Sequence, residues 1–374
     1  MRIARIDLHH LVLPLAEPFA ISGGVMRERR SLIVALHDDE GHTGWGESPP
    51  FELPFYSEET LAGAEHLLRE VLIPRVRGRE FPSVEAFDAA LRVGVRGNHF
   101  ARSGLETAYW DLDAHRRGIG LSTLLAERAG APAAAMIQCG VALGIPADRS
   151  PSTLARSIES ALREGYRRVK IKVAPGWDDV PVEAATDALK GTGIPLTVDA
   201  NGAYEWPIHQ ANLHRMDQAG LLYIEQPLAP DELLAHTELS QTLKTPICVD
   251  ETLRDARAAQ EIAALDGPKV WNLKVHRMGG LTEALRVYSI GRSFGARLWA
   301  GTMPESGLGS QAAIALAALP GFVYPSDVEP SARWYGAGRD VIELTMSPAG
   351  RMAVPTTSIA NLLDRERLAA ALRD

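Results

Sequence analysis

The sequence predicts an α/β protein, a TIM-type barrel preceded by a smaller α+β domain. Three observations carry this. From about residue 137 onward, short apolar strands alternate with amphipathic helical stretches; eight such strands can be read; and the segment before residue 130 carries strands and helices that do not alternate.

In that first segment, RIARIDLHHLVLPL and SLIVALHDDEGHTGWGES read as antiparallel strands, with DDEGH as the turn between SLIVAL and HTGWGES. Helical patterns follow. SEETLAGAEHLLREVLIPRV opens on a loose Ser-x-x-Thr start, and SVEAFDAALRVG and ARSGLETAYWDLDAHRRG are more clearly amphipathic. A compact domain over 1–130 is the expected unit.

The strands of the second part are IQCGVAL, RRVKIKV, PLTVDA, LLYIEQ, TPICVD, KVWNLKV, ARLWAG and FVYPSD. Between them lie PSTLARSIESALREG, PVEAATDALKGTG, IHQANLHRMDQAG, LLAHTELSQTL, DARAAQEIAALDG, LTEALRVYSIGRSFG and GSQAAIALAALPG, each reading as a helix. A doubly wound open sheet is the alternative, but no GxGxxG follows any strand, so nothing favours a dinucleotide site. The barrel is expected over 131–340. The tail, 341–374, is expected to contain a short strand pair and to return to complete the first domain.

Bulk properties narrow the function. A chain of 374 residues fits two domains, and 46% apolar residues suffice for large cores. A net charge of −8 argues against a nucleic-acid binder, which needs a basic surface. Cys139 and Cys248 both lie in apolar runs and read as buried thiols rather than a disulfide. The N-terminus is interrupted by charges and is no secretory h-region, and no apolar run reaches the roughly 18 residues of a membrane span. A cytoplasmic protein with no membrane partner is the expectation.

The chemistry is written at the strand ends. Five consecutive strands carry a charged residue there: Lys172, Asp199, Glu225, Asp250 and Lys274, separated by 27, 26, 25 and 24 residues, about one βα unit each. In a barrel these ends surround one mouth. Strand alternation in VKIKV turns Lys170 inward with Lys172. Three converging carboxylates would repel one another and lose hydration. A hard divalent cation removes that conflict, and an all-oxygen set suits Mg²⁺, or Mn²⁺, better than Zn²⁺. A lysine on either side of the metal suits removal of a proton from carbon next to a carboxylate, with desolvation and neighbouring charge lowering the lysine pKa. Singly, each residue has an ordinary explanation; Asp250 in VDET, for instance, would serve as a helix cap. The ordered spacing, with both lysines outside the acids, is what is specific.

Through KIK, VDAN, IEQP, VDET and NLK the sequence resembles the enolase superfamily, in its muconate-lactonizing subgroup, over nearly the whole chain. APGWD, PFYSEE, GTMPESGLG and YPSDVEPSARWYG make it most similar to the o-succinylbenzoate synthase and N-succinylamino acid racemase branch. The resemblance implies a modified (β/α)7β barrel with a capping domain. It implies Lys172 and Lys274 as acid/base groups on opposite faces of the substrate, Lys170 tuning Lys172, and Asp199, Glu225 and Asp250 holding Mg²⁺. Asn201 would lie beside the metal. Phe19 and Tyr56 would close over the substrate from the capping domain, and Met303, Glu305 and Ser306 would meet its distal part. Arg277 resembles the branch members that racemise, tuning Lys274, while His276 reads as a polar residue at the barrel rim. The expected partners are a small carboxylate substrate and further copies of the chain. Dipeptide epimerases of this subgroup usually carry Asp-x-Asp at the eighth strand; here SDVE, with Asp327 and Glu329, matches in part. A muconate-type cycloisomerase is a further alternative, and a barrel that binds without turnover the remotest. Thr302, Ala142 and the VHR segment depart from the branch pattern and leave the substrate's distal group open.

Overall fold

The computed structural model describes residues 1–21 and 24–373. In chain order its strands are β1 (Ile3–Ile21), β2 (Gly24–Asp38), β3 (Thr43–Ser48), β4 (Met136–Gln138), β5 (Val141–Leu143), β6 (Val169–Lys172), β7 (Leu196–Asp199), β8 (Ile224–Glu225), β9 (Ile247–Val249), β10 (Val270–Leu273), β11 (Arg297–Ala300), β12 (Arg351–Ala353) and β13 (Leu372–Arg373). They form an antiparallel sheet, β13-β1-β2-β3, and a curled parallel sheet, β5 through β11 in sequence order, with β12 and β4 as a separate pair.

The antiparallel sheet is a separate N-terminal domain. Its β2–β3 turn is the expected DDEGH, closed by the Asp38 carboxylate, which accepts from the N–H groups of Glu40 (3.0 Å) and His42 (2.8 Å). The β1–β2 hairpin runs further than the sequence suggests, through a register break between Pro14 and Phe19. The helix His99–Arg117 lies across β3. The two glycines of GWGES explain how closely: a Cβ on Gly44 would meet the Ala108 carbonyl at 2.1 Å, and one on Gly46 the Gly104 carbonyl at 2.1 Å.

That helix also fastens the domain to the barrel. Glu106 accepts from the N–H groups of Leu281 (2.7 Å) and Thr282 (2.8 Å), so its carboxylate sits on the N-terminus of the barrel helix Leu281–Phe294. Glu47 of β3 does the same for the helix Gly307–Ala317, through Ser306 N–H (3.3 Å) and Gly309 N–H (3.1 Å).

In the barrel, all seven expected helical stretches are helices. Outward residues such as Val169, Ile171, Val198, Ile224 and Ile247 are buried under them, and the inward positions alternate with these. The expected eighth strand, FVYPSD, is irregular. It touches both neighbours through single bridges, Phe322 to Leu298 and Ser326 to Cys139, with Asp327 N–H on the Ala300 carbonyl at 2.9 Å. Pro325 in its middle has no N–H to give a ladder. The ring is therefore closed by scattered bonds at this one stave. Among the described residues the tail holds no strand pair of its own. Its strand β12 pairs with β4 at the barrel's start rather than within the tail, and β13 pairs with β1 of the N-terminal sheet. Cys139 and Cys248 are buried free thiols, as expected. Among the described residues, no helix is long and apolar enough to cross a membrane.

Candidate active site

Parallel pairing sets the mouth in order. Lys172 stands beside Asp199 and Asp199 beside Glu225 in direct register across β6, β7 and β8. Asp250 and Lys274 each follow directly on the ends of β9 and β10. The side chains then meet pairwise. Lys172 Nζ donates to Asp199 Oδ2 (2.6 Å) and Asn201 Oδ1 (2.6 Å). At the other end, Lys274 Nζ donates to Asp250 Oδ2 (2.9 Å) and to the Tyr56 hydroxyl (3.1 Å). Arg277 pairs with the second Asp250 oxygen and donates to the same Tyr56 hydroxyl at 3.1 Å. Between them, Glu225 accepts from Lys170 Nζ (3.0 Å) and Asn272 Nδ2 (2.9 Å).

The electrostatics follow from burial. Burial pushes the Glu225 carboxyl up to about 8, with Asp199 adding to the effect. Burial works the same way on Asp199 and Asp250, but the adjoining cations outweigh it and hold both below the usual carboxylate range. Burial pulls the Lys274 ammonium down, but Asp250 and Tyr56 outweigh it, so the lysine is held protonated rather than lowered as its sequence setting suggests. Burial pushes the Tyr56 phenol up to about 12.

The donor set would suit a hard cation: three buried carboxylates at the ends of adjacent strands, one resisting ionisation where it stands, and beside them Glu251 Oε2, buried with no hydrogen-bond partner. The barrel acids do not bring their oxygens within 4.8 Å of one another as a trio; each turns toward a lysine or arginine. Among the described residues, the group that does converge so tightly is Asp38, Glu40 and His42, in the β2–β3 turn. There the Asp38 carboxylate is accounted for by the turn and by Arg116 at 3.7 Å.

Residues 153–358 match the family described as Enolase C-terminal domain-like, and residues 5–126 the Mandelate racemase / muconate lactonizing enzyme N-terminal domain. The chain belongs to the enolase superfamily. Within it, the chain is 42% identical over 356 residues to an N-succinylamino acid racemase of Thermus thermophilus, covering 95% of this chain and 93% of that one. It is 39% identical over 339 residues to an o-succinylbenzoate synthase of Bacillus subtilis, covering 90% and 87%. A solved structure of an enolase-superfamily member from Listeria innocua superposes with a TM-score of 0.92 at 31% identity, covering 100% of this chain and 98% of that one.

Against this superfamily frame, other sequence-predicted residues sit less simply. Lys170 lies a level below the mouth, 4% exposed, with Asp327 Oδ2 at 2.6 Å, Glu225 Oε2 at 3.0 Å and Asp199 Oδ2 at 3.4 Å. Asp327 is also paired with Arg168. Met303, Glu305 and Ser306 are all buried. Glu305 accepts from Met303 N–H within the loop, and Ser306 is tied to Glu47, so the serine joins the barrel to the N-terminal domain. His276 is buried against Ser103 Oγ (3.2 Å) and the Gly309 carbonyl (3.3 Å), and burial lowers its pKa to about 4. Thr302 donates to the Asp327 carbonyl at 2.8 Å, and the Ala142 N–H donates to Glu329 at 2.9 Å. Phe19 is in β1, its backbone opposite Met26, and its side chain lies outside the described residues.

Three contributors escaped the sequence argument. Asn272 is inward by the same alternation as Lys274 and holds Glu225. Gln226, next to Glu225, accepts from the N–H groups of Asp250 (2.9 Å) and Thr252 (3.2 Å) and so sets the turn carrying the third acid. Glu251 stands inside the VDET motif that identified Asp250.

Proposed function

We propose that this protein removes a proton from carbon next to a carboxylate, with Mg²⁺ (Mn²⁺ as a substitute) held by Asp199, Glu225 and Asp250. The substrates are an N-succinyl or other N-acyl amino acid, which is racemised, the precursor of o-succinylbenzoate, which is dehydrated, or both. The observation that carries this is the order Lys172–Asp199–Glu225–Asp250–Lys274, with a lysine at each end of three buried acids.

When bound, the cation would neutralise the three carboxylates and draw charge from the substrate's own carboxylate. With Asp250 so engaged, burial, the largest influence on Lys274, would pull its ammonium toward the neutral amine a base needs, with Arg277 acting in the same sense and Tyr56 and Glu251 against it. One lysine then takes the α-proton, leaving an enediolate, and the lysine on the opposite face returns a proton, which inverts the centre. In the dehydration one lysine removes the α-proton and gives a proton back to the β-hydroxyl, which departs as water as the enediolate collapses to the alkene, while the other lysine stays a cation beside the intermediate. Tyr56 reaches Lys274 and Arg277 from the N-terminal domain, so that domain helps to align this base.

The racemase and synthase readings are favoured over a dipeptide epimerase by the eighth stave. Its two acids have partners already: Asp327 holds Arg168 and Lys170, and Glu329 holds Arg333 and the Ala142 N–H. Neither is free to take a dipeptide ammonium. The test is turnover with Mg²⁺ of N-succinyl and N-acetyl amino acids, dipeptides and the o-succinylbenzoate precursor, read by polarimetry and absorbance. Turnover of an acylated amino acid or of the precursor is expected; epimerisation of dipeptides alone would overturn the reading.

A further inference from the structure

Lys172 differs from Lys274 in what fixes it. Its Nζ has two acceptors, Asp199 Oδ2 and Asn201 Oδ1, each at 2.6 Å. With one position taken by Cε, two directed N–H bonds leave a single tetrahedral position on nitrogen, occupied by a transferable proton or by the lone pair, aimed away from both acceptors. Asn201 can hold this role only if its amide keeps oxygen toward the lysine. An amide has two ends of similar size, and only hydrogen bonding decides which faces where.

Glu251 makes that decision. Its Oε1 accepts from Asn201 Nδ2 at 2.9 Å, which turns the NH₂ to the glutamate and the oxygen to Lys172. The backbone serves the same end. Asn201 has φ +43, the left-handed region asparagine tolerates, and its N–H is held by Asp199 Oδ1 at 3.0 Å. Glu251 is itself buried, and its second oxygen has no hydrogen-bond partner.

We infer that Glu251 is a positioning residue that acts through the Asn201 amide to aim the transferable proton of Lys172, and so serves one face of the substrate only. This rests on the proposed two-lysine proton transfer. It assigns Asn201 to the base rather than chiefly to the substrate.

The experiment measures α-proton exchange in D₂O from the L and D forms of an N-succinylamino acid that the wild type racemises, at saturating Mg²⁺. Lys172→Ala defines which enantiomer presents its proton to Lys172. Glu251→Leu removes the acceptor at nearly unchanged volume and is expected to slow exchange of that enantiomer about 10-fold more than its mirror image. Glu251→Gln can present either its oxygen or its NH₂ to Asn201, so it decides the amide less firmly and is expected to slow that same enantiomer, by less than Glu251→Leu does. Asn201→Ala is expected to repeat the asymmetry of Glu251→Leu and carries the test if the leucine variant does not fold. Equal slowing of both enantiomers overturns the inference while leaving the two-lysine reading intact. A wild type that exchanges neither enantiomer overturns the underlying reading instead.

Discussion

The two ends of the site are built differently. Lys172, on β6, is part-exposed and held by side chains of the barrel alone, whereas Lys274 is buried and held partly from the other domain, through Tyr56. A residue at the Lys172 end is set by the barrel's own register. A residue at the Lys274 end is set by the barrel through Asp250 and by the seated N-terminal domain through Tyr56. The two lysines are thus chemically alike but answer to different parts of the fold.

The largest expected effect on this comparison comes from removing either base. Lys172→Ala and Lys274→Ala should each lower racemisation by about 10³-fold, measured as kcat by polarimetry, since inversion needs both faces. Next comes Arg277→Leu. It removes a partner of Asp250 and the second donor to Tyr56, and should cost about 10–100-fold in kcat, with exchange lost mainly from the enantiomer facing Lys274. If both enantiomers suffer alike, the two ends are not independent.

The floor under the Lys172 end gives a stability test. Asp327→Asn leaves Arg168 short of its buried partner and should destabilise by about 3 kcal/mol in urea unfolding at pH 7. Burial opposes ionisation of Asp327, but Arg168 and Lys170 outweigh it and bring its pKa to about 2. A depressed acid stabilises above its unfolded value, near 4, and that contribution fades as pH falls toward 2. The gap between wild type and variant should therefore narrow over this window, and a gap that widens would contradict the assignment. The smallest effect is expected from Tyr56→Phe. It keeps the ring 4.8 Å from Lys274 Nζ but loses the hydroxyl, and should cost several-fold in kcat/KM and little stability.

Much of this was legible before any coordinates. Repeating βα texture and strand-end charges are local signals, so the barrel, its seven helices and the order of Lys172, Asp199, Glu225, Asp250 and Lys274 could be read from spacing. What could not be read depends on which groups meet across long separations. Glu305 and Ser306 look like mouth residues by position, yet Glu47, far earlier in the chain, claims Ser306 and the helix start beside it. Lys170 faces inward as alternation demands, but only the eighth stave's Asp327 reveals that it is anchored below the mouth. That stave failed as a regular strand because Pro325 interrupts its ladder.

The most direct test of the account is to follow α-proton exchange in D₂O, with Mg²⁺, for both enantiomers of one N-succinylamino acid with Lys172→Ala and Lys274→Ala. Each variant should lose exchange from one enantiomer and keep it from the other, with the two variants failing on opposite enantiomers. Loss of the same enantiomer by both variants, or no loss by either, would contradict the claim that the two lysines work from opposite faces.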